Sequence, residues 1–179
     1  GADGTKWDLY ENNLLSERHI RYGGYGGIAY YHVSNNYIAL FSHFIPCGVW
    51  EAIYILDGLT KNQSDIQPDT LHGDTQAQST PVFGLAYLLG IKLMPRIRNW
   101  KDLKCYKPSP EEIYNHISEL FTKDSIDWEL ISRHLPDMLQ VALSIKAGRI
   151  APSTILRKLG TASRKNKLYF AFVELGKVI

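Results

Sequence analysis

Cysteine, long apolar runs and net charge are all scarce in this 179-residue chain, and each scarcity excludes something. The two cysteines, Cys47 and Cys105, lie far apart and outside any CxxC pattern. They read as reduced thiols of a cytoplasmic protein, not as a disulfide framework. No window approaches the roughly 18 uninterrupted apolar residues of a membrane span, so no membrane partner is expected. The formal net charge is only +2. Bulk charge therefore does not mark a nucleic-acid binder, and local clusters have to carry any such reading. The opening Gly1-Ala2-Asp3-Gly4-Thr5 is too polar for a signal peptide. The six histidines (19, 32, 43, 72, 116 and 134) lack the i, i+4 spacing and cysteine partners of a zinc centre. Gly23-Gly24-Tyr25-Gly26-Gly27 lacks the lysine and Ser/Thr of a phosphate loop.

What is present suits a folded domain. The chain is 45% hydrophobic and 12% aromatic, enough to bury a core. Its length fits one domain, or one domain with a sizeable insertion. Both ends read as cut, because the chain opens on a motif and stops within Leu175-Gly176-Lys177-Val178-Ile179. A fragment of a longer protein is expected.

Local patterns predict an α/β order. Residues 8–25 are polar and irregular, and Tyr22 to Gly27 reads as a flexible turn. Ile28 to Val33 and Tyr37 to Ile45 are β-prone runs around the turn signal Ser34-Asn35-Asn36, which predicts a hairpin. Val49 to Leu59 has apolar residues at helical spacing. Thr70 to Asp74 reads as a short strand running into a loop. Pro81 to Leu89 reads as a helix capped by Ser79 or Thr80 and ended by Gly90. Ile91 to Met94 reads as a strand stopped by Pro95. Strand, hairpin, helix, strand, helix, strand predicts a mixed sheet. Beyond Arg96 the β-prone runs vanish. Residues 111–122, 127–146 and 152–159 read as helices, with Pro136 expected to kink or split the second. Asn166 to Ile179 reads as a final helix.

Phosphoryl transfer on DNA requires acids that hold divalent metal, because a hard cation prefers carboxylate oxygen. With 18 acids, counting selects nothing. Context singles out three. Asp3 falls in the first strand beside Gly4. Asp74 ends a strand, where open α/β sheets place their ligands. Glu174 lies on the flank of the apolar helical stripe Leu168, Phe172, Leu175 and Ile179. On residues alone the plainer reading is the stronger one, Asp3 and Asp74 as turn residues and Glu174 as a solvated helix residue.

The motifs around these acids resemble the large replicative transposases of the Tn-three family. Ala2-Asp3-Gly4-Thr5-Lys6-Trp7 is similar to their first-acid motif. His72-Gly73-Asp74-Thr75-Gln76-Ala77-Gln78-Ser79, with Val82-Phe83-Gly84-Leu85 and Leu88-Leu89-Gly90, is similar to the second. Glu174-Leu175-Gly176-Lys177-Val178 is similar to the third, with lysine where arginine is common. Ile55-Leu56-Asp57-Gly58-Leu59 and Pro95-Arg96 match in order. The resemblance covers nearly the whole chain. It implies a ribonuclease H-like fold, an α/β mixed sheet with flanking helices. Residues 1–98 would form the first part of the core, 99–165 a helical insertion, and 166–179 the core helix carrying the third acid. It implies a DDE transposase, with Asp3, Asp74 and Glu174 as catalytic acids holding Mg2+, for which Mn2+ can substitute. The partners implied are transposon-end and target DNA and further copies of the full-length protein. The place implied is the bacterial cytoplasm, at the nucleoid.

Two basic clusters point the same way. Lys92, Arg96, Arg98, Lys101, Lys104 and Lys107 share a stretch with one acid, Asp102. Arg157, Lys158, Arg164, Lys165 and Lys167 form a second cluster without one. Such clusters suit phosphate contacts, or simply a solvated surface. Candidate DNA contacts are His72, Gln76, Gln78, Arg96, Arg98, Lys101, Arg164 and Lys165; His72 reads equally as structural. Trp100 and Tyr106 can stack on bases, although core packing is the expectation. The rival readings are a non-enzymatic DNA-binding or assembly module on the same scaffold, and a related structure-specific nuclease.

Overall fold

A computed structural model describes residues 1–20, 23–47, 51–161 and 166–179. Five strands make a path of mixed direction. β1 (Ala2–Asp8) pairs antiparallel with β3 (Gly24–Val33), which pairs antiparallel with β4 (Ala39–Pro46). On its other side β1 runs parallel to β5 (Thr70–Gly73), and β5 runs parallel to β6 (Lys92–Pro95). The order is therefore β4-β3-β1-β5-β6. A short β2 (Glu17–His19) adds to the start of β3, in register Glu17 to Gly26.

The β-branched and aromatic run Ile28 to Val33 forms the middle of this sheet, as expected. The glycines before it do not form the expected turn. Gly24 to Gly27 are already strand, and Tyr22 lies outside the described residues. The reason is close approach: a Cβ on Gly27 would collide with the ring of Phe44. The stretch read as one helix from Val49 is a 3-10 turn (Glu51–Tyr54) followed by the short α1 (Asp57–Thr60). Gly48 to Trp50 lie outside the described residues.

α2 (Thr80–Leu89) follows β5 and ends on Gly90 at φ 78°, a left-handed position that glycine occupies without strain. α5 (Lys167–Val178) starts where the Asn166 side chain accepts from the backbone N–H groups of Leu168 and Tyr169. α2 and α5 pack with almost nothing between them. A Cβ on Gly84 would lie 2.5 Å from the carbonyl oxygen of Phe172, and one on Gly176 would collide with the carbonyl of Thr80. Val82, Leu85, Phe172 and Leu175 of the two helices join Ile28, Ile45, Ile55 and Leu71 in one core cluster.

Between β6 and α5, none of the described residues joins the central sheet. The stretch is less helical than expected. β7 (Cys105–Lys107) and β8 (Phe121–Ser125) form a separate two-stranded parallel sheet. Residues 111–120 are turns, irregular chain and a 3-10 segment (Ser118–Leu120), and 121–122 open β8, so the expected helix over 111–122 does not form. Ile113, Ile117 and Leu120 are exposed, so no buried apolar face supports a helix there. Trp100 is also exposed rather than packed in the core, whereas Tyr106 packs against it. α3 (Trp128–Lys146) and α4 (Pro152–Thr161) occur as expected. Pro136 does not split α3, because Ile131, Met138, Ala142 and Ile145 anchor both sides of the missing hydrogen bond in the core.

Candidate active site

The β1–β5 ladder aligns Ala2 with Gly73 in parallel. Asp3 and Asp74 each follow that pair directly in the chain, Asp3 within β1 and Asp74 just beyond the end of β5. Ala2 is buried and Asp3 exposed, as alternation along a strand requires. The Asp3 Oδ1 accepts from the N–H of Gly4 at 2.8 Å. Asp74 caps the 3-10 turn Thr75–Ala77, its Oδ1 accepting from the N–H of Gln76 at 3.0 Å. Both acids act on Tyr30, which is 2% exposed. Burial first, then the charges of Asp74, Glu51 and Asp3, push the Tyr30 phenol far above its ordinary pKa. Its hydroxyl stays protonated beside the carboxylates.

Glu174 takes a different place. It stands on α5, its Oε1 paired with the Lys177 ammonium at 2.5 Å and its Oε2 accepting from the N–H of Asp127 at 3.1 Å. Among the described residues no three His, Cys, Asp or Glu side chains gather as a metal-ligand set. Asp3 and Asp74 follow the paired residues Ala2 and Gly73, while Lys177 and the N-cap of α3 hold Glu174. The donor chemistry of Asp3 and Asp74, carboxylate oxygen, suits a hard divalent cation.

Glu51 was missed by the sequence reading. It is 7% exposed, and its Oε1 accepts from the Gln76 amide at 3.2 Å. The signal available was an acid set among the apolar positions Ala52, Ile53 and Leu56, where a charge is costly unless paired. Asp57, in the Ile55 to Leu59 motif, is 2% exposed and accepts from the Ser153 N–H at 2.8 Å and the Ser153 hydroxyl at 2.6 Å. It ties α1 to the first turn of α4.

The candidate DNA contacts scatter. His72 and Gln78 are exposed beside Asp74, while Gln76 is committed to Glu51. Arg96 is exposed, its backbone N–H donating to the Gly73 carbonyl. Arg98 and Lys101 are exposed beyond β6. Arg164 and Lys165 lie outside the described residues. A cleft of about 980 Å³ opens between the Asp74 turn, at Thr75 and Gln78, and the end of α5, at Lys177. Arg98 and Lys104 also line it, and among the described residues no Asp or Glu does.

Among the described residues, no helix is long and apolar enough to cross a membrane. No solved structure matches the chain. It is 31% identical over 178 residues to the transposase for transposon Tn1546 of Enterococcus faecium, covering 99% of this chain and 18% of that protein. It is 33% identical over 186 residues to the transposase for transposon Tn21 of Escherichia coli, covering 99% and 19%. To the transposase for transposon Tn501 of Pseudomonas aeruginosa it is 34% identical over 159 residues, covering 88% and 16%. The chain thus spans less than a fifth of the length of these relatives. The Tn3 transposase DDE domain matches residues 1–179, the whole sequence, and the chain belongs to that family.

Proposed function

We propose that this chain is the catalytic domain of a transposase, cleaving DNA at transposon ends and joining the freed 3′-hydroxyl to target DNA. The observation that carries the reading is the parallel pairing of Ala2 with Gly73, the residues that directly precede Asp3 and Asp74. Asp3, Asp74 and Glu174 are the catalytic acids and the ligands of Mg2+, or Mn2+ in its place. The bound metal supplies activation of the attacking oxygen and charge neutralisation at the leaving one. Glu174 is on the α5 helix that packs against α2, close in the chain to the cleft-lining Lys177.

In the first step, water oxygen attacks the scissile phosphorus, and the 3′ oxygen leaves with a proton as a 3′-hydroxyl. In the second, that hydroxyl attacks a target phosphodiester and releases a target 3′-hydroxyl. No covalent protein–DNA bond is needed. The carboxylates hold negative charge at the reacting phosphate, so cations must compensate on the DNA side. Arg98, Lys104 and Lys177 of the cleft offer them, and Arg96 and Lys101 extend the basic surface. His72 and Gln78, exposed beside Asp74, stand where they can contact the strand being cut. Arg164 and Lys165 belong to the same proposed set of phosphate contacts. Residues 1–98 and 166–179 form the core and 99–165 the insertion. The full-length protein works as a homo-oligomer on DNA in the bacterial cytoplasm.

The test is Asp74→Asn in the full-length protein. Asparagine keeps an oxygen for the Gln76 N–H, so the turn survives, but it loses the charge that holds a hard cation. Cleavage of a labelled transposon-end duplex in Mg2+ should fall by about a thousandfold, with end binding intact. Near-normal cleavage refutes the catalytic role. It would leave the non-enzymatic assembly module as the better reading.

A further inference from the structure

Glu51 opens the 3-10 turn Glu51–Tyr54 and is buried. A buried carboxylate needs partners, since an uncompensated one is strongly disfavoured. One partner is Gln76, whose side-chain amide donates to Oε1 at 3.2 Å. The backbone N–H of the same Gln76 donates to Asp74 Oδ1 at 3.0 Å. Glu51 thus grips the residue that grips Asp74. Its other oxygen faces β1: a Cβ on Gly4, the residue after Asp3, would lie 2.6 Å from Oε2. The missing side chain of Gly4 is what lets this carboxylate approach the strand. Tyr30 independently places Glu51 in the same neighbourhood, because its phenol responds to the charges of Asp74, Glu51 and Asp3 together.

We propose that Glu51 is a positioning residue for the cleavage site: through Gln76 it fixes the turn that presents Asp74, and against Gly4 it sets that turn's distance from the strand bearing Asp3. The proposal rests on the reading of Asp74 as a metal-holding acid. Glu51 itself touches neither metal nor DNA in this scheme; it acts through Gln76. A metal site tolerates little slack in its ligands, and a supporting hydrogen bond removes that slack.

The test uses the full-length protein with five variants: Glu51→Leu, Glu51→Gln, Gln76→Leu, the Glu51→Leu/Gln76→Leu double variant and Asp74→Asn. Transposon-end cleavage is measured against Mg2+ concentration, with end binding and thermal unfolding alongside. Glu51→Leu should raise the half-saturating Mg2+ by about tenfold, the scale of one lost hydrogen bond to a charged group, with end binding unchanged. Glu51→Gln should stay close to the parent, because its amide oxygen still accepts from Gln76. Gln76→Leu should reproduce Glu51→Leu, and the double variant should be no worse than either alone. Should Glu51→Leu fail to fold, Gln76→Leu against Glu51→Gln carries the comparison. The proposal is overturned by normal Mg2+ dependence in Gln76→Leu, by Glu51→Gln as damaging as Glu51→Leu, or by additive losses in the double variant. Asp74→Asn separates the two levels. If it cleaves normally, the metal reading fails; if it is inactive while Gln76→Leu is normal, the positioning role alone fails.

Discussion

Replacing Asp57 with alanine should cost the fold more than any other single carboxylate described above. The Asp57 side chain is 2% exposed and accepts two hydrogen bonds from Ser153, through the backbone N–H at 2.8 Å and the hydroxyl at 2.6 Å. Lys61 adds an ion pair at 3.3 Å whose ammonium is nearly half exposed. A hydrogen bond to an ionised acceptor contributes roughly 1.5–3 kcal/mol when one partner is removed. The Lys61 pair adds less than about 1 kcal/mol because water screens it. Ser153 is itself buried, so its donors find little water after the change. The expected loss is about 3–5 kcal/mol, a large share of the roughly 5–15 kcal/mol that holds a domain together. Urea unfolding of the 179-residue chain, followed by tryptophan fluorescence, measures it. Asp57→Asn retains one acceptor oxygen and should lose about half as much. Ser153→Ala combined with Asp57→Ala should be non-additive, since both remove the hydroxyl bond, whereas the backbone N–H bond is lost only with Asp57. A loss below about 1 kcal/mol, or simple additivity, refutes the view that this carboxylate fastens α4 to α1.

Gly176→Ala has to push α5 away from the Thr80 carbonyl, and should destabilise the chain by about 1–3 kcal/mol. In the full-length protein it should reduce cleavage more than end binding, while Gly160→Ala, whose methyl would meet only the Tyr169 ring at an ordinary 3.8 Å, should do neither. Thermal unfolding and a cleavage assay check both. His32 supplies a pH dependence. Burial holds its imidazole below the ordinary 6.5, and its Nε2–H donates to the Ile55 carbonyl at 2.7 Å. The unfolded chain therefore takes up the proton first as pH falls, so this contribution to stability is full above pH 6.5 and declines below it. Unfolding free energies from pH 7.5 to 5 should show that slope, and His32→Gln should flatten it; an unchanged slope rules His32 out.

Much of the sheet was legible because its strands carry their own signals. Ile28 to Val33 and the run after Asn36 are β-prone around a turn, and the hairpin follows. Thr80 to Gly90 carries a proline near its start and a glycine at its end, so α2 was bounded closely. The glycines before Ile28 were misread because glycine signals two things: a turn, or room for a neighbour. Only the structure reveals Phe44 over Gly27. Residues 111–122 were misread because their apolar spacing looked helical while having nothing to pack on. At the site, the motifs gave Asp3, Asp74 and Glu174. They did not give Glu51, whose role depends on a partner 25 positions away, nor the turning of Glu174 toward Lys177 and Asp127.

The bare backbone contact between α2 and α5 has a mechanical consequence. Helices separated by large side chains can slide as those side chains change rotamer; helices meeting at Gly84 and Gly176 have no such lubricant. α5 is keyed to α2, and α2 begins six positions after Asp74. The helix bearing Glu174 therefore takes its station from the chain next to Asp74 as well as from α3, whose N-cap Asp127 donates to Glu174. One methyl group at Gly84 or Gly176 would therefore shift the helix that carries Glu174.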